Sequence, residues 1–253
     1  MAPHILVTND DGITSAGLHA LRAAMSELGD VEVVAPDAER SAVGHAITTL
    51  TPLRVKVFAF EDGGKGHAVN GTPADCVKIA VGAILERPLD LVVSGINLGP
   101  NTATNIIYSG TVSAATEARI LGIPSIAVSI GTFRDPVWET AAAYAQRLAQ
   151  RVLEHGLPPK VLLNLNVPNL PLGRVKGVKV TRQGESAYEE KYDIRNDPRD
   201  VPYYWAAGRY RMSDLDEGTD ALALDQGYVS VTPVSFDLTA RGFLEELSRW
   251  ELR

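Results

Sequence analysis

Short runs of β-branched and aliphatic residues recur along this chain, and stretches with helical spacing separate them. His4–Thr8 (HILVT), Val31–Ala35 (VEVVA), Asp90–Ser94 (DLVVS), Ile126–Ile130 and Val161–Leu165 read as buried strands. Leu18–Leu28, Cys76–Leu85, Val112–Leu121 and the Ala-rich Trp138–His155 read as helices. Gly29 closes the first of these, and Gly122 with Pro124 closes the third. Strand, helix and strand within ~35 residues form a βαβ unit, which demands parallel pairing and a right-handed crossover. Repeated along the chain, the unit predicts an α/β fold: a doubly wound, mainly parallel, Rossmann-like sheet with helices on both faces.

The texture changes near Pro168. Residues 169–227 mix Pro, Gly and charge with strand-like pieces at Val178–Arg182 and Tyr203–Trp205. The segment is too long for a plain loop, so it reads as an excursion containing a β-hairpin. Tyr228–Thr232 then reads as a strand and Phe243–Leu252 as a short helix with Phe243, Leu247 and Trp250 on one face. The expected organisation is a core over 1–168, an extended arm over 169–227, and a returning strand and helix over 228–253.

A length of 253 residues accommodates this plan. The formal net charge of -7 argues against a duplex nucleic-acid partner, which calls for a basic face. It leaves a small anionic substrate open, since one bound cation dominates its local field. The single cysteine, Cys76, rules out an intrachain disulfide. The sequence shows no signal-peptide pattern and no apolar run near the ~18 residues of a membrane span. A cytoplasmic protein without a membrane partner is expected.

Ligands of open α/β sheets bind beyond the carboxyl ends of the strands. The first such loop is Asn9–Asp10–Asp11–Gly12. Two adjacent carboxylates at a buried strand end repel one another unless a cation neutralises them, and hard oxygen donors suit Mg²⁺, Mn²⁺ or Ca²⁺. The same letters also suit an ordinary turn. The second loop supplies Ser41, Gly44 and His45; the serine reads as a metal or phosphate ligand or as a surface residue, and the histidine as a proton donor or a bystander. The third loop, 95–101, brings Asn97 and Asn101, with neutral oxygens and amide donors. Ser109–Gly110–Thr111 precedes a helix, where free backbone N–H groups favour a phosphate; Ser109 or Thr111 serves equally as a cap. Thr72, Pro73 and Asp75 read as a capping arrangement rather than as catalytic residues. No nucleotide-binding glycine fingerprint, P-loop, serine-hydrolase elbow or zinc-type Cys/His set is present.

Six segments in order resemble one family, the survival-protein-E (SurE) nucleotidases: ILVTNDDG at 5–12, APDAERSAVGHAIT at 35–48, VNGTPADCV at 69–77, SGINLGPN at 94–101, YSGTVSAATEA at 108–118 and GYVSVTP at 227–233. The resemblance implies a metal site of Asp10, Asp11, Ser41 and Asn97, with Asp10 and Asp11 as the catalytic pair. It implies phosphate contacts from Ser109, Gly110 and Thr111, with Asn9 and Asn101 close by; Gly44 and His45 join this substrate set from the second loop. The implied cofactor is one divalent ion per subunit, Mn²⁺ or Mg²⁺. The implied reaction is hydrolysis of nucleoside 5′- and 3′-monophosphates, with polyphosphate as a further substrate. The implied assembly is a homodimer or homotetramer with arm exchange. The chain departs from the family pattern at Ala103, where a glycine is usual, and at Thr104–Asn105, where an acidic residue is usual; Ala118 also replaces a common glycine. The rival reading is a receiver-like or nucleotide-sensing module that uses the acidic pair only to bind a metal. A receiver needs a further Asp where this chain has Ser94–Asn97.

Overall fold

The computed structural model describes every residue except 1, 190, 212, 215 and 251–253. The strands are β1 (His4–Thr8), β2 (Asp30–Pro36), β3 (Val55–Ala59), β4 (Lys65–Val69), β5 (Leu91–Leu98), β6 (Ser125–Ile130), β7 (Val161–Val167), β8 (Val178–Val180), β9 (Ala187–Glu189), β10 (Tyr192–Asn196), β11 (Pro202–Ala206), β12 (Arg209–Arg211) and β13 (Val229–Ser235). The helices are α1 (Ala16–Ser26), α2 (Pro73–Ile79), α3 (Asn105–Tyr108), α4 (Gly110–Ile120), α5 (Trp138–His155), α6 (Asp220–Asp225) and α7 (Leu244–Ser248).

Nine strands form one sheet in the order β3-β4-β2-β1-β5-β6-β7-β13-β8. Pairing is parallel from β4 through β2, β1, β5 and β6 to β7, and again between β13 and β8. It is antiparallel between β3 and β4 and between β7 and β13. The period-2 rule sorts the strand side chains. Ile5, Val7, Val33, Ala35, Leu91 and Val93 face the side covered by Leu18, Leu21 and Met25 of α1 and Ala141, Ala145 and Ala149 of α5. Leu6, Val34 and Val92 face the other side, against Cys76 and Val77 of α2 and Ala114 and Ala118 of α4. The doubly wound architecture expected from the alternation is the one observed.

The differences have local causes. The β3–β4 hairpin escaped the sequence reading: β3 is largely exposed, and β4 (KGHAV) mixes Lys, Gly and His with only Ala68 and Val69 as an apolar signal. The helix expected over Cys76–Leu85 starts three residues earlier, where Thr72 and Asp75 form a full capping box with Pro73 in the first turn, and it ends as a π-helical turn, Ala80–Ile84. The strand expected to stop at Ser94 continues to Leu98. Its register with β6 slips between Ser94 and Asn97, around Gly95 at φ 140°, so a bulge carries the strand past the polar residues. Residues 169–227 contribute β8 to the edge of the main sheet and α6 beside β13; the remainder forms two antiparallel ladders, β9–β12 and β10–β11. The helix expected over Phe243–Leu252 is a 3₁₀ turn, Arg241–Phe243, followed by α7; positions 251 and 252 lie outside the described residues.

Chain order fixes where the site lies. From β1 the chain winds one way to β2 and β4 and the other way through β5, β6 and β7. The β1/β5 crevice is therefore the topological switch point, the place where open α/β sheets bind ligands.

Candidate active site

Asp10 and Asp11 follow β1 directly, and Asn97 stands near the end of its neighbour β5. The loop after β1 is braced from within. Asn9 is buried and donates from Nδ2 to the Gly12 carbonyl (3.0 Å) and to Ser15 Oγ (2.7 Å). Ser15 in turn caps α1 by accepting from the Leu18 amide. Two backbone bonds tie this loop to the one after β2: Ile13 N–H to Pro36 O (2.9 Å) and Arg40 N–H to Asp10 O (2.7 Å). The second of these brings Ser41 to the acidic pair. Gly44 N–H donates to Tyr108 O (3.1 Å) and links the same loop to α3.

These loops enclose a pocket of about 670 Å³, within the range of small-molecule sites. Asp10, Asp11, Ser41, Asn97, Asn101 and Ser109 line it, as do the aromatic residues Tyr108, Phe133 and Trp138. The four residues of the expected metal set thus share one cavity. Asn9, Gly44, His45, Gly110 and Thr111 are not among its lining residues. Asn9 is the brace just described. His45 Nε2 sits 2.8 Å from Glu117 Oε2 on α4, and Lys78 Nζ lies 3.1 Å from the other carboxylate oxygen. Thr111 donates its hydroxyl to Asp10 Oδ1. Ser109 does cap α4, accepting from the Val112 amide (3.1 Å), while also lining the pocket.

The electrostatics centre on the acidic pair. Burial pushes the Asp10 carboxyl up, opposed by the Thr111 hydroxyl and by the Thr111 and Gly110 amides at the positive end of α4. The helix N-terminus thus serves Asp10. Burial, with the Asp10 charge and Glu39 added, pushes Asp11 up to about 6 against the Leu98 amide, whose N lies 3.3 Å from Asp11 Oδ2. Two adjacent carboxyls raised by burial, Asp11 further by the Asp10 charge, are the condition a cation relieves. The neutral donors fit that role too. Asn97 Nδ2 is committed to Gly99 O (2.7 Å), which leaves Oδ1 for an ion. Ser41 is exposed and donates to Glu39 Oε1 (2.6 Å). Thr8 Oγ1, Asn9 Oδ1 and Ser94 Oγ are buried near the acidic pair without a hydrogen-bond partner. Among the described residues no group of three His, Cys, Asp or Glu side chains gathers to hold a metal, so an ion here would take two carboxylates and neutral oxygens, a hard set.

Sequence reasoning named Asn101 in the loop after β5 but missed the residues that hold it. Asn101 turns inward: its Nδ2 donates to Ser129 Oγ (2.9 Å), its amide to Asn166 Oδ1 (2.9 Å), and its carbonyl accepts from Asn164 and Asn166. Asp220 is fully buried and accepts from the amides of Ala103 (2.8 Å), Gly184 (3.0 Å) and Ala221 (2.8 Å). Those bonds oppose the burial that pushes its carboxyl up. Ala103, at a position where the family pattern has glycine, holds φ 52° under this anchor. Asn164 and Asn166 break the apolar run of β7, and that interruption was the only signal available.

Comparison with known proteins identifies the family. The family profile described as Survival protein SurE matches residues 5–190. The 5′-nucleotidase SurE of Syntrophobacter fumaroxidans is 52% identical over 98% of this chain and 99% of its own length. Its counterpart in Chloroflexus aggregans is 48% identical over 98% of this chain and 99% of its own length. The crystal structure of the SurE protein from Aquifex aeolicus superimposes with a TM-score of 0.85 at 44% identity, covering 97% of this chain and 98% of the other. The profile match, the relatives and the shared fold show that this chain belongs to the SurE family.

Proposed function

We infer that this chain is a divalent-metal-dependent nucleotidase that hydrolyses nucleoside monophosphates to nucleoside and phosphate; its full-length relatives carry the name 5′-nucleotidase SurE. The observation that carries the reading is the convergence of Asp10, Asp11, Ser41 and Asn97 on one pocket at the switch point of the sheet. Asp10 and Asp11 would hold the ion through carboxylate oxygens, and Asn97 and Ser41 through neutral ones. A Mn²⁺ or Mg²⁺ ion held there would supply neutralisation of phosphoryl charge and Lewis-acid polarisation of water. The chain's own contribution is positioning. Thr111 and the α4 amides hold Asp10 in one orientation, Leu98 N–H steadies Asp11, and Ser109 offers a hydroxyl to the phosphate at the positive end of α4. With His45 held by Glu117, the proton for the leaving oxygen comes from solvent. Both 5′- and 3′-monophosphates, and the end of a polyphosphate chain, present the same dianionic group to this end of the pocket. Nothing favours the receiver-like or sensing alternative.

Assembly as a homo-oligomer belongs to the same reading. The β10–β11 hairpin exposes Tyr192, Ile194 and Tyr204 on one face and Tyr203 and Trp205 on the other, apolar surface that a second copy of the chain would cover. No helix among the described residues is long and apolar enough to cross a membrane.

The test is phosphate release from AMP with Mn²⁺, with Mg²⁺ and with chelator, by wild type and Asp10→Asn. Release is expected to need the ion and to fall at least about 100-fold in the variant. Equal rates from the two proteins would refute the proposal.

A further inference from the structure

The pocket is larger than a phosphate requires, and part of its lining has nothing to offer one. Beyond the oxygen donors lie Gly99, Pro100, Phe133 and Trp138. Two aromatic side chains of the lining are exposed, Tyr108 (62%) and Phe133 (63%), so the core accounts for neither. Phe133 is the one seated on a glycine. Its ring rests on the backbone of Gly99: a Cβ built at that glycine would come within 2.3 Å of the ring. No other residue at position 99 would leave the ring where it is, and Gly99 also sits at φ 114°, where side chains are strained. One face of the phenyl group is therefore seated on the loop that follows Asn97.

The loop carrying Phe133 is pinned on both sides. Gly131 N–H donates to Val167 O (2.8 Å). Thr132 Oγ1 donates to Arg134 O (2.7 Å) and accepts from Arg134 N–H (3.1 Å), closing a tight turn around residue 133. Asn169 clamps the far side, accepting from Val137 N–H (2.8 Å) and donating to Asp135 O (3.1 Å). The backbone carrying the ring is held before any ligand arrives, which spares part of the ordering cost of binding. Trp138 lines the same pocket, but it is half-buried and its indole is wedged over Gly17, 3.1 Å from a Cβ built there.

We propose that Phe133 is the nucleobase platform of this site: its ring stacks on the base of a bound nucleotide and gives nucleotides their advantage over other phosphate monoesters. The inference rests on the nucleotidase reading of the same pocket. A flat apolar face near a phosphate-binding end matches the division of a nucleoside monophosphate into a π-surface and a dianion. Stacking is also tolerant, because every base has a π-face. An enzyme that reads the base this way selects nucleotides as a class and discriminates weakly among them, with the larger purine face bound better than the pyrimidine.

The experiment compares kcat/KM for AMP, CMP and ribose 5-phosphate in wild type, Phe133→Ala and Phe133→Tyr. The preference for AMP over ribose 5-phosphate is expected to fall about tenfold in Phe133→Ala, through KM, and to return in Phe133→Tyr. A preference left unaltered by Phe133→Ala overturns the proposal. Adenosine binding, measured by calorimetry without turnover, gives a second readout. It should weaken by about tenfold in Phe133→Ala, and equal affinities overturn the platform. A protein that binds adenosine through Phe133 yet leaves AMP intact would retire the nucleotidase reading and keep the platform. One that hydrolyses AMP with no dependence on Phe133 would do the reverse.

Discussion

Asp10 and Asp11 are neighbours in sequence but differ in environment. Asp10 is buried and held by Thr111 and the first turn of α4, whereas Asp11 is partly open and meets one amide, that of Leu98. A metal competes with protons for both carboxylates. Because the Asp11 carboxyl is pushed up to about 6, its proton must be displaced below that pH and is already gone above it. Affinity for Mn²⁺ is therefore expected to fall by up to about tenfold per pH unit below pH 6 on account of Asp11. Calorimetric titrations with Mn²⁺ at pH 5, 6, 7 and 8 check this, and a flat profile from 5 to 7 would contradict the assigned role. Asp11→Asn should bind the ion more weakly and lose the part of the dependence centred near pH 6. At this scale the sequence was informative about donors: the paired Asp, the Ser and the Asn were legible as hard ligands. The braces were not. Nothing local to Asn9 says that its amide turns inward to Ser15, and nothing local to Thr111 says that its hydroxyl reaches across 101 positions to Asp10.

Elements place these residues through close approach. α1 packs so tightly on β5 that a Cβ at Gly17 would lie 2.1 Å from the Ile96 carbonyl oxygen. That contact sets the distance between the helix following the Asp pair and the strand carrying Asn97. Gly17→Ala must therefore push α1 away from the sheet. A loss of about 2–3 kcal/mol or more in urea unfolding is expected, together with a loss of activity in whatever protein remains folded. A stability within about 0.5 kcal/mol of wild type, the ordinary scatter of surface substitutions, would show that the approach is not rigid. Regular elements were readable where their signal is local. The runs HILVT and SIAVSI carry strand propensity, Trp138–His155 carries helical spacing from end to end, and Thr72–Pro73–Asp75 spells a cap. Where pairing rather than composition makes the element, reading failed. β3 and β4 are strands because they extend the sheet beyond β2, and β5 passes Ser94 because its bulge keeps it paired with β6.

At the scale of the whole molecule, the segment beyond Pro168 has two fates. Part of it completes the main sheet, with β8 alongside β13 and α6 anchoring the loop near Asn101 through Asp220. The rest projects as the β9–β12 and β10–β11 ladders, with exposed Tyr203, Tyr204 and Trp205. We read 1–168 as the catalytic core, and 169–227 as the segment that ties the core to another copy of the chain while bracing its own pocket. Light scattering of the intact protein is expected to give a multiple of the chain mass. Replacing both Tyr204 and Trp205 with Ser should shift it toward smaller species. A wild type that is monomeric at micromolar concentration would dismiss the assembly role of the hairpin.

The sequence by itself determined the alternation of strands and helices, hence the parallel sheet, and the chemical type of the donors at its strand ends. It did so because hydrophobic period and ligand hardness are properties of residues and their near neighbours. Tertiary structure alone decided which amides serve Asp10, how Asn101 is turned away toward Ser129, and where Phe133 rests. Each of these depends on the meeting of segments far apart in the chain, and for Phe133 on the space a missing Cβ leaves at Gly99.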